Sequence, residues 1–257
     1  MQYIDLHNHT RFSFDSEITM EQTVRTAEQN NIGILGFSDH LDFAQDDPGC
    51  EYYEPDEQFR VFSQLKDESD IELFCGIEAS YEDYYYDRTL DIIKRYPFDY
   101  VIMSVHFVNN TVISQWIREI EDGKNDIEAV DYSPYFKHMI ELVRKTDFDI
   151  LGHMDYYKKY SKFTHKKTFD RYRDYYARII EAIVAKGSII EINTSGLRYD
   201  CSEQFPEERI LQLYSDAGGE LISTGSDSHD RSHIGFGLDK AEELISKYNF
   251  KKFKPGV

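Results

Sequence analysis

The sequence predicts an α/β barrel of seven strand–helix units, closed or nearly closed. Three observations predict it. Seven short runs rich in Ile, Val, Leu or Phe recur along the chain, each of about four to six residues. Longer stretches with apolar residues at helical spacing lie between them, and that alternation means parallel strands joined by helical crossovers. The length of 257 residues suits one such barrel as a single domain, 1–257. No linker, low-complexity tract or composition break divides the repeats. A doubly wound open sheet is the other architecture that the alternation allows.

The first strand is Tyr3–Leu6, followed by "TMEQTVRTAEQNN". There Thr19 and Gln22 stand three residues apart, the pattern of a capping box at a helix start. The second strand is Ile34–Phe37, and an acidic loop, Asp39–Pro55, leads to the helix "DEQFRVFSQLKDES". The third is Glu72–Ile77, then a tyrosine-rich run, "YEDYYYD" (81–87), that reads as pocket rim or as amphipathic packing, and the helix "TLDIIKRY". The fourth, Tyr100–Ser104, opens into a second long loop, Phe107–Tyr132, which holds the single tryptophan, Trp116, before "SPYFKHMIELVRKT". The fifth is Ile150–Gly152 with "FDRYRDYYARIIEAIVAKG", and the sixth is Ile189–Ile192 with "FPEERILQLYSDAGG". The seventh is Leu221–Thr224 with "LDKAEELISKY". Gly187 and Gly218 stand where two helices should stop. Loops longer than usual are expected to shape the mouth of the barrel.

Composition excludes some partners. With 29 Lys and Arg against 48 Asp and Glu, the net charge is −19 and the pI is near 4.8. Such a surface repels nucleic-acid phosphates and anionic membranes. Two or three bound divalent cations would offset roughly 4–6 of those charges. Cys50, Cys75 and Cys201 are far apart and form no CxxC pair, as expected of reduced thiols in a cytoplasmic protein. "MQYIDLHNHT" has neither the basic nor the apolar region of a signal peptide. No run approaches the ~18 apolar residues of a membrane span.

Against this frame the nine histidines are unevenly placed. His7 and His9 follow the first strand, His40 the second, His106 the fourth, His153 the fifth and His229 the seventh. Glu78 ends the third strand, Glu191 and Asn193 end the sixth, and Asp227 precedes His229 in "SDSH". His233 shares that last loop, whereas His138 and His165 lie in helices or loops. One such histidine would be unremarkable. In a parallel barrel, however, all strand C-termini meet at one face, so these residues converge. In an extended chain, positions two apart point the same way. His7 and His9 can therefore share one ion, as can Asp227 and His229 a side of the site. Imidazole and carboxylate donors without a thiolate cluster suit Zn²⁺, Mn²⁺ or Fe²⁺. Six histidines with Asp15, Glu78 and Asp227 are too many for one ion and supply two or three. Metals about 3.5–4 Å apart form a device for phosphoester hydrolysis.

"DLHNHTRFSFDS", "FSDH", "GIE", "SVH", "GHMD", "EINTSG" and "GSDSH" together resemble the PHP (polymerase and histidinol phosphatase) superfamily. Within it, they resemble the stand-alone histidinol-phosphatases. The resemblance runs from residue 5 to about residue 237. It implies a distorted seven-stranded barrel with three divalent ions, Zn, Mn or Fe. The first ion would be held by His7, His9, Glu78 and Asp227. The second would share Glu78 and add His106 and His153. The third would take Asp15, His40 and His229. Asp15 stands where some members of the superfamily have histidine. A metal-bridging hydroxide would attack phosphorus in line.

Arg198, just after "NTSG", is the expected phosphate clamp, because a guanidinium can grip two oxygens. The family also tends to place a basic residue beyond "GHxD", here Lys158 or Lys159. Arg231 and His233 are further candidates for the phosphate. The proton for the leaving alkoxide would come from Asp42 or His233. Asp42, Asp46, Asp47 and Glu51 otherwise read as solvated surface. The substrate expected is a small phosphomonoester, histidinol phosphate by resemblance, whose amine and imidazole Asp42 or Glu119 could recognise. Two other readings use the same residues: a nucleotide phosphoesterase, and a metal-binding module without catalysis.

Overall fold

All seven apolar runs form parallel strands. The computed structural model describes residues 2–44, 47–163 and 165–256, the side chains of 165–167 excepted. The strands are β1 (Tyr3–Asp5), β2 (Ile32–Phe37), β3 (His40–Leu41), β4 (Glu72–Ser80), β5 (Tyr100–Ser104), β6 (Phe107–Val108), β7 (Thr111–Val112), β8 (Ile150–Leu151), β9 (Ile189–Asn193), β10 (Leu221–Gly225) and β11 (Lys251–Lys252). The helices are α1 (Met20–Gln29), α2 (Pro55–Glu68), α3 (Tyr86–Arg95), α4 (Ile113–Glu121), α5 (Ser133–Lys145), α6 (His165–Lys186), α7 (Glu208–Asp216) and α8 (Leu238–Tyr248).

The main sheet runs β1-β2-β4-β5-β8-β9-β10-β11, with β3 also on β4. It curls almost into a ring. The outer edge of β10 is divided. Its first half pairs with β11 through Leu221↔Lys251 and Ile222↔Lys252. Its far end meets the continuation of β1: Leu6 N–H donates to Thr224 O at 2.9 Å, Asp227 N–H to His7 O at 2.8 Å and His9 N–H to Ser228 O at 2.9 Å. The barrel is therefore distorted, closing at its C-terminal face and wedged open by β11 at the other.

Inside the ring, one apolar cluster collects Ile4, Leu6, Phe74, Tyr100, Ile102, Ile150 and Ile189. Tyr100 lies across it, and its hydroxyl donates to Leu6 O at 2.5 Å. Gly36 and Gly76 face that ring, and a Cβ on either would overlap Tyr100. Outside, α5 and α6 pack many aromatic rings against the sheet, with Tyr135, Phe136 and Tyr176 fully buried. The capping box of α1 forms as expected, with Thr19 N–H on Gln22 Oε1 at 3.0 Å and Gln22 N–H on Thr19 Oγ1 at 3.3 Å. Gly187, at φ +80°, and Gly218, at φ +91°, follow the ends of α6 and α7.

The stretch expected as a long loop, Phe107–Tyr132, is mostly ordered elements. Asn109 and Asn110 both have φ near +60° (53° and 62°), which closes the tight β6–β7 hairpin. α4 then buries Ile113, Trp116 and Ile117 on one face. Among the described residues no helix is long and apolar enough to cross a membrane, and the three cysteines are unpaired.

Candidate metal centre

The strand ends carry their donors to one mouth. His7 and His9 lie just past β1, His106 past β5, His153 past β8, and Asp227 and His229 past β10. His40 opens β3, opposite Glu78 of β4 in the parallel register. Asp227 sits at φ +52°, a sharp bend that turns its side chain back toward the mouth.

Three groups of donors face one another. In the first, His7 Nε2 and His9 Nε2 lie 3.3 and 3.5 Å from Glu78 Oε2, and 3.8 and 3.4 Å from Asp227 Oδ1. In the second, Glu78 Oε1 is 2.9 Å from His153 Nε2 and 3.4 Å from His106 Nε2, with the two rings 3.3 Å apart at those nitrogens. In the third, Asp15 Oδ2 is 3.2 Å from His229 Nε2 and 3.7 Å from His40 Nε2. The third group is the most open, its Asp15 side chain being 37% exposed against 1% for Glu78.

The donors are held from behind by polar partners. Glu191, deep in β9, accepts from His7 Nδ1 at 3.0 Å and from His153 N–H at 2.7 Å. A proton on Nδ1 leaves His7 Nε2 free to ligate. Ser13 donates to Asp39 at 2.8 Å and stands 3.1 Å from His9 Nδ1, which orients that ring in the same way. Ser80 Oγ lies 2.8 Å from His106 Nδ1, and Ser104 donates to Glu78 Oε1 at 2.6 Å. Ser195 Oγ and Asn193 Nδ2 engage Asp227 Oδ2 at 3.1 and 3.3 Å, so Oδ1 points at the histidines.

Cations fit this cradle. Among the described residues, His7 Nε2, His9 Nε2, His40 Nδ1 and Glu78 Oε2 are buried polar atoms with no hydrogen-bond partner, and buried polar atoms are ordinarily satisfied. Burial would raise the Glu78 carboxyl, yet His7 and His106 beside it hold it well below the ordinary range. Burial would likewise raise Asp227, but His7, His9 and His229 hold it low. Burial alone would lower His106, but Glu78 and Asp42 lift it to about 10. In the protein alone, protons on histidine carry the positive charge that these carboxylates demand. The all-N/O donor set suits divalent transition metals.

Several expected residues lie elsewhere. Lys158 is a correction: its ammonium is buried between Asp155, at 2.7 Å, and Glu207, away from the mouth. On a 3₁₀ turn, successive side chains diverge by about a third of a turn. Lys159 therefore takes the other direction, donating to Tyr156 Oη at 2.7 Å and lying 4.6 Å from the centre of the Tyr199 ring. Tyr156 in turn stacks on His153 at 4.1 Å. Arg231 donates from Nε to Thr26 of α1 at 3.0 Å. Arg198 grips the β10 loop, donating to Ser226 O at 2.7 Å and Asp227 O at 2.9 Å. His233 is half-buried, and burial together with Arg198 lowers its pKa. Asp42 is buried rather than solvated, its two oxygens each 4.0 Å from a ring nitrogen of His40 or His106. Asp47 accepts from Gly49 N–H at 2.6 Å and Glu51 pairs with Arg88 at 2.5 Å, while Asp46 lies outside the described residues. Glu119 is exposed and accepts from Gln115 at 2.7 Å. Glu191, Ser13, Ser80 and Ser104 were not expected in these roles. Of them only Glu191 carried a signal, as the acid ending a strand.

Fold and donors together define an α/β-barrel protein with a multinuclear metal centre at the C-terminal mouth. The model of the PHP domain matches residues 5–195, and the chain belongs to that family. It is 28% identical to the "Probable histidinol-phosphatase" of Clostridium acetobutylicum, over 96% of this chain and 94% of that protein. It is 27% identical to the histidinol-phosphatase of Lactococcus lactis, over 97% and 93%. The crystal structure of the Lactococcus lactis histidinol phosphate phosphatase, complexed with zinc, L-histidinol and phosphate, superposes with a TM-score of 0.86 over 99% of this chain and 96% of that one.

Proposed function

We propose that this chain is a metal-dependent phosphomonoesterase that hydrolyses L-histidinol phosphate to L-histidinol and phosphate. The observation that carries this reading is the meeting of three donor sets at one mouth, two of them sharing the Glu78 carboxylate and the third touching it through His40. His7, His9, Glu78 and Asp227 would hold one divalent ion, Glu78, His106 and His153 a second, and Asp15, His40 and His229 a third. Zinc, manganese and iron all match the donors, and zinc is what the Lactococcus lactis structure contains. Such ions supply Lewis acidity to phosphoryl oxygens and acidify coordinated water.

The chain's own residues do the rest. Glu191 and Ser13 fix the His7 and His9 rings. Lys159 brings a fixed positive charge to the mouth, and Arg198 brings a second beside Asp227. Both complement the charge of a phosphate. For the proton that the leaving alkoxide needs, Asp42 and His233 are the two candidates. One lies against His40 and His106, the other next to Arg198. The −19 net charge supports a small phosphomonoester over a nucleic-acid polymer, and three unpaired thiols support a cytoplasmic setting.

The test is phosphate release from histidinol phosphate beside a panel of nucleotides, with metals fully loaded. The expected result is a higher kcat/KM on histidinol phosphate. A much higher value on a nucleotide would replace the substrate, and no turnover of any phosphoester would remove the enzymatic reading.

A further inference from the structure

A cavity of about 400 Å³ opens beside the centre, lined in part by Glu82, Tyr84, Tyr85, Phe107 and Thr111. That volume is in the range of small-molecule sites. It adjoins the donors, because Phe107 directly follows His106, and Asp42 and His106 both act on Glu82 electrostatically. The walls come from the tyrosine-rich run after β4 and from the β6–β7 hairpin.

Glu82 is the anomaly of this cavity. It is only 3% exposed and its carboxyl takes a backbone hydrogen bond from Phe43, yet among the described residues its buried Oε2 has no hydrogen-bond partner. Among the described residues no basic side chain pairs with it: Asp42 and Asp47 nearby have the same sign, and His106, whose charge acts on it from a distance, makes no ion pair with it. Burial and Asp42 push its carboxyl up to about 7. A buried carboxylate without a paired counter-charge is costly, and a cationic ligand beside it would offset that cost. Tyr84, which is 81% exposed, and Tyr85 add ring faces that attract cations.

We propose that Glu82 is the specificity residue of the site and receives a cationic nitrogen on the organic portion of the phosphomonoester, while the phosphate lies at the donors. The substrate class is then phosphate esters of amino alcohols or of imidazole-bearing alcohols. This rests on the phosphomonoesterase reading above.

The experiment compares kcat/KM for histidinol phosphate and for glycerol phosphate, with metal content measured on each variant. Glu82→Gln should lower the ratio of the two roughly 10–100-fold, mainly through KM for histidinol phosphate, as expected for a charge-assisted contact. Calorimetric affinity for L-histidinol should fall by a similar factor, with inorganic phosphate as the comparison ligand. An unchanged ratio and an unchanged L-histidinol affinity would overturn the proposal. Should Glu82→Gln lose metal, Thr111→Lys places a competing ammonium in the same cavity and must still lower the ratio; failure there also overturns it. A wild-type chain that hydrolyses neither ester would remove the phosphatase reading instead, and L-histidinol binding then decides the role of Glu82 by itself.

Discussion

Glu78 faces more of the donors than any other side chain named here. Its Oε1 meets His106 and His153, and its Oε2 meets His7, His9 and, at 3.0 Å, His40. Glu78→Gln removes the charge but keeps the shape, and should cost at least one bound ion per chain. Elemental analysis showing a full complement would contradict the bridging role. Arg198→Ala should lower kcat/KM roughly 10–1,000-fold, through a lost phosphate contact and a loosened Asp227 carbonyl; an unchanged value would take Arg198 out of the site. All the donors but Asp15, which lies in the loop after β1, were legible in sequence because they stand at or just past strand ends, positions fixed by topology. Their supports were not. Ser13, Ser80 and Ser104 are ordinary residues whose roles depend on a hydroxyl lying within 3 Å or so of one ring or carboxylate. Lys158 and Lys159 are adjacent in sequence, and only the 3₁₀ turn decides which one is spent on a buried ion pair.

At the level of elements, all seven barrel strands were legible, because buried parallel strands read as apolar runs. The seventh helical stretch and the capping box were equally plain. The hairpin and α4 were missed because Phe107–Val108 and Thr111–Val112 are too short to stand out as strands, and α4 follows them without a capping residue. Asn109–Asn110 was the available signal. β11 was missed as well, since two lysines on a wedged edge carry no apolar pattern. The same frame explains why Gly76 must be small: it gives way to the Tyr100 ring inside the barrel. Gly76→Ala should overpack that layer by about 1–3 kcal/mol. For a chain of this length that lowers Tm by roughly 2–12 °C, readable by thermal unfolding. An unchanged Tm would show that Tyr100 can move aside.

For the whole molecule, charge and metal are linked through pH. In the metal-free chain His106 is raised from 6.5 to about 10, and His7 and His40 are raised as well. A raised histidine contributes stability fully below its unfolded value, and that contribution is lost as pH rises through its folded one. Burial, His229 and His40 push His9 the other way. Glu78 and Asp227 are depressed, so their contribution is present above their ordinary values and lost in acid. The stripped chain should therefore be most stable between about pH 4.5 and 6.5 and weaken toward pH 10. Bound ions compete with protons for the same nitrogens, so their stabilisation grows with pH. Chelation should then lower Tm more at pH 9 than at pH 6; an equal loss at both would contradict the linkage. The divided edge of β10 gives this a further meaning. The bond from Thr224 Oγ1 to Ile4 O spans 220 positions of sequence, and His7 and His9 stand on one side of that seam with Asp227 on the other. Contacts of such long sequence separation are slow to form. An ion held across them would act as a clasp, its affinity reporting how completely the chain has returned to its own beginning. Fraying at the seam would release that ion while the helices still stand.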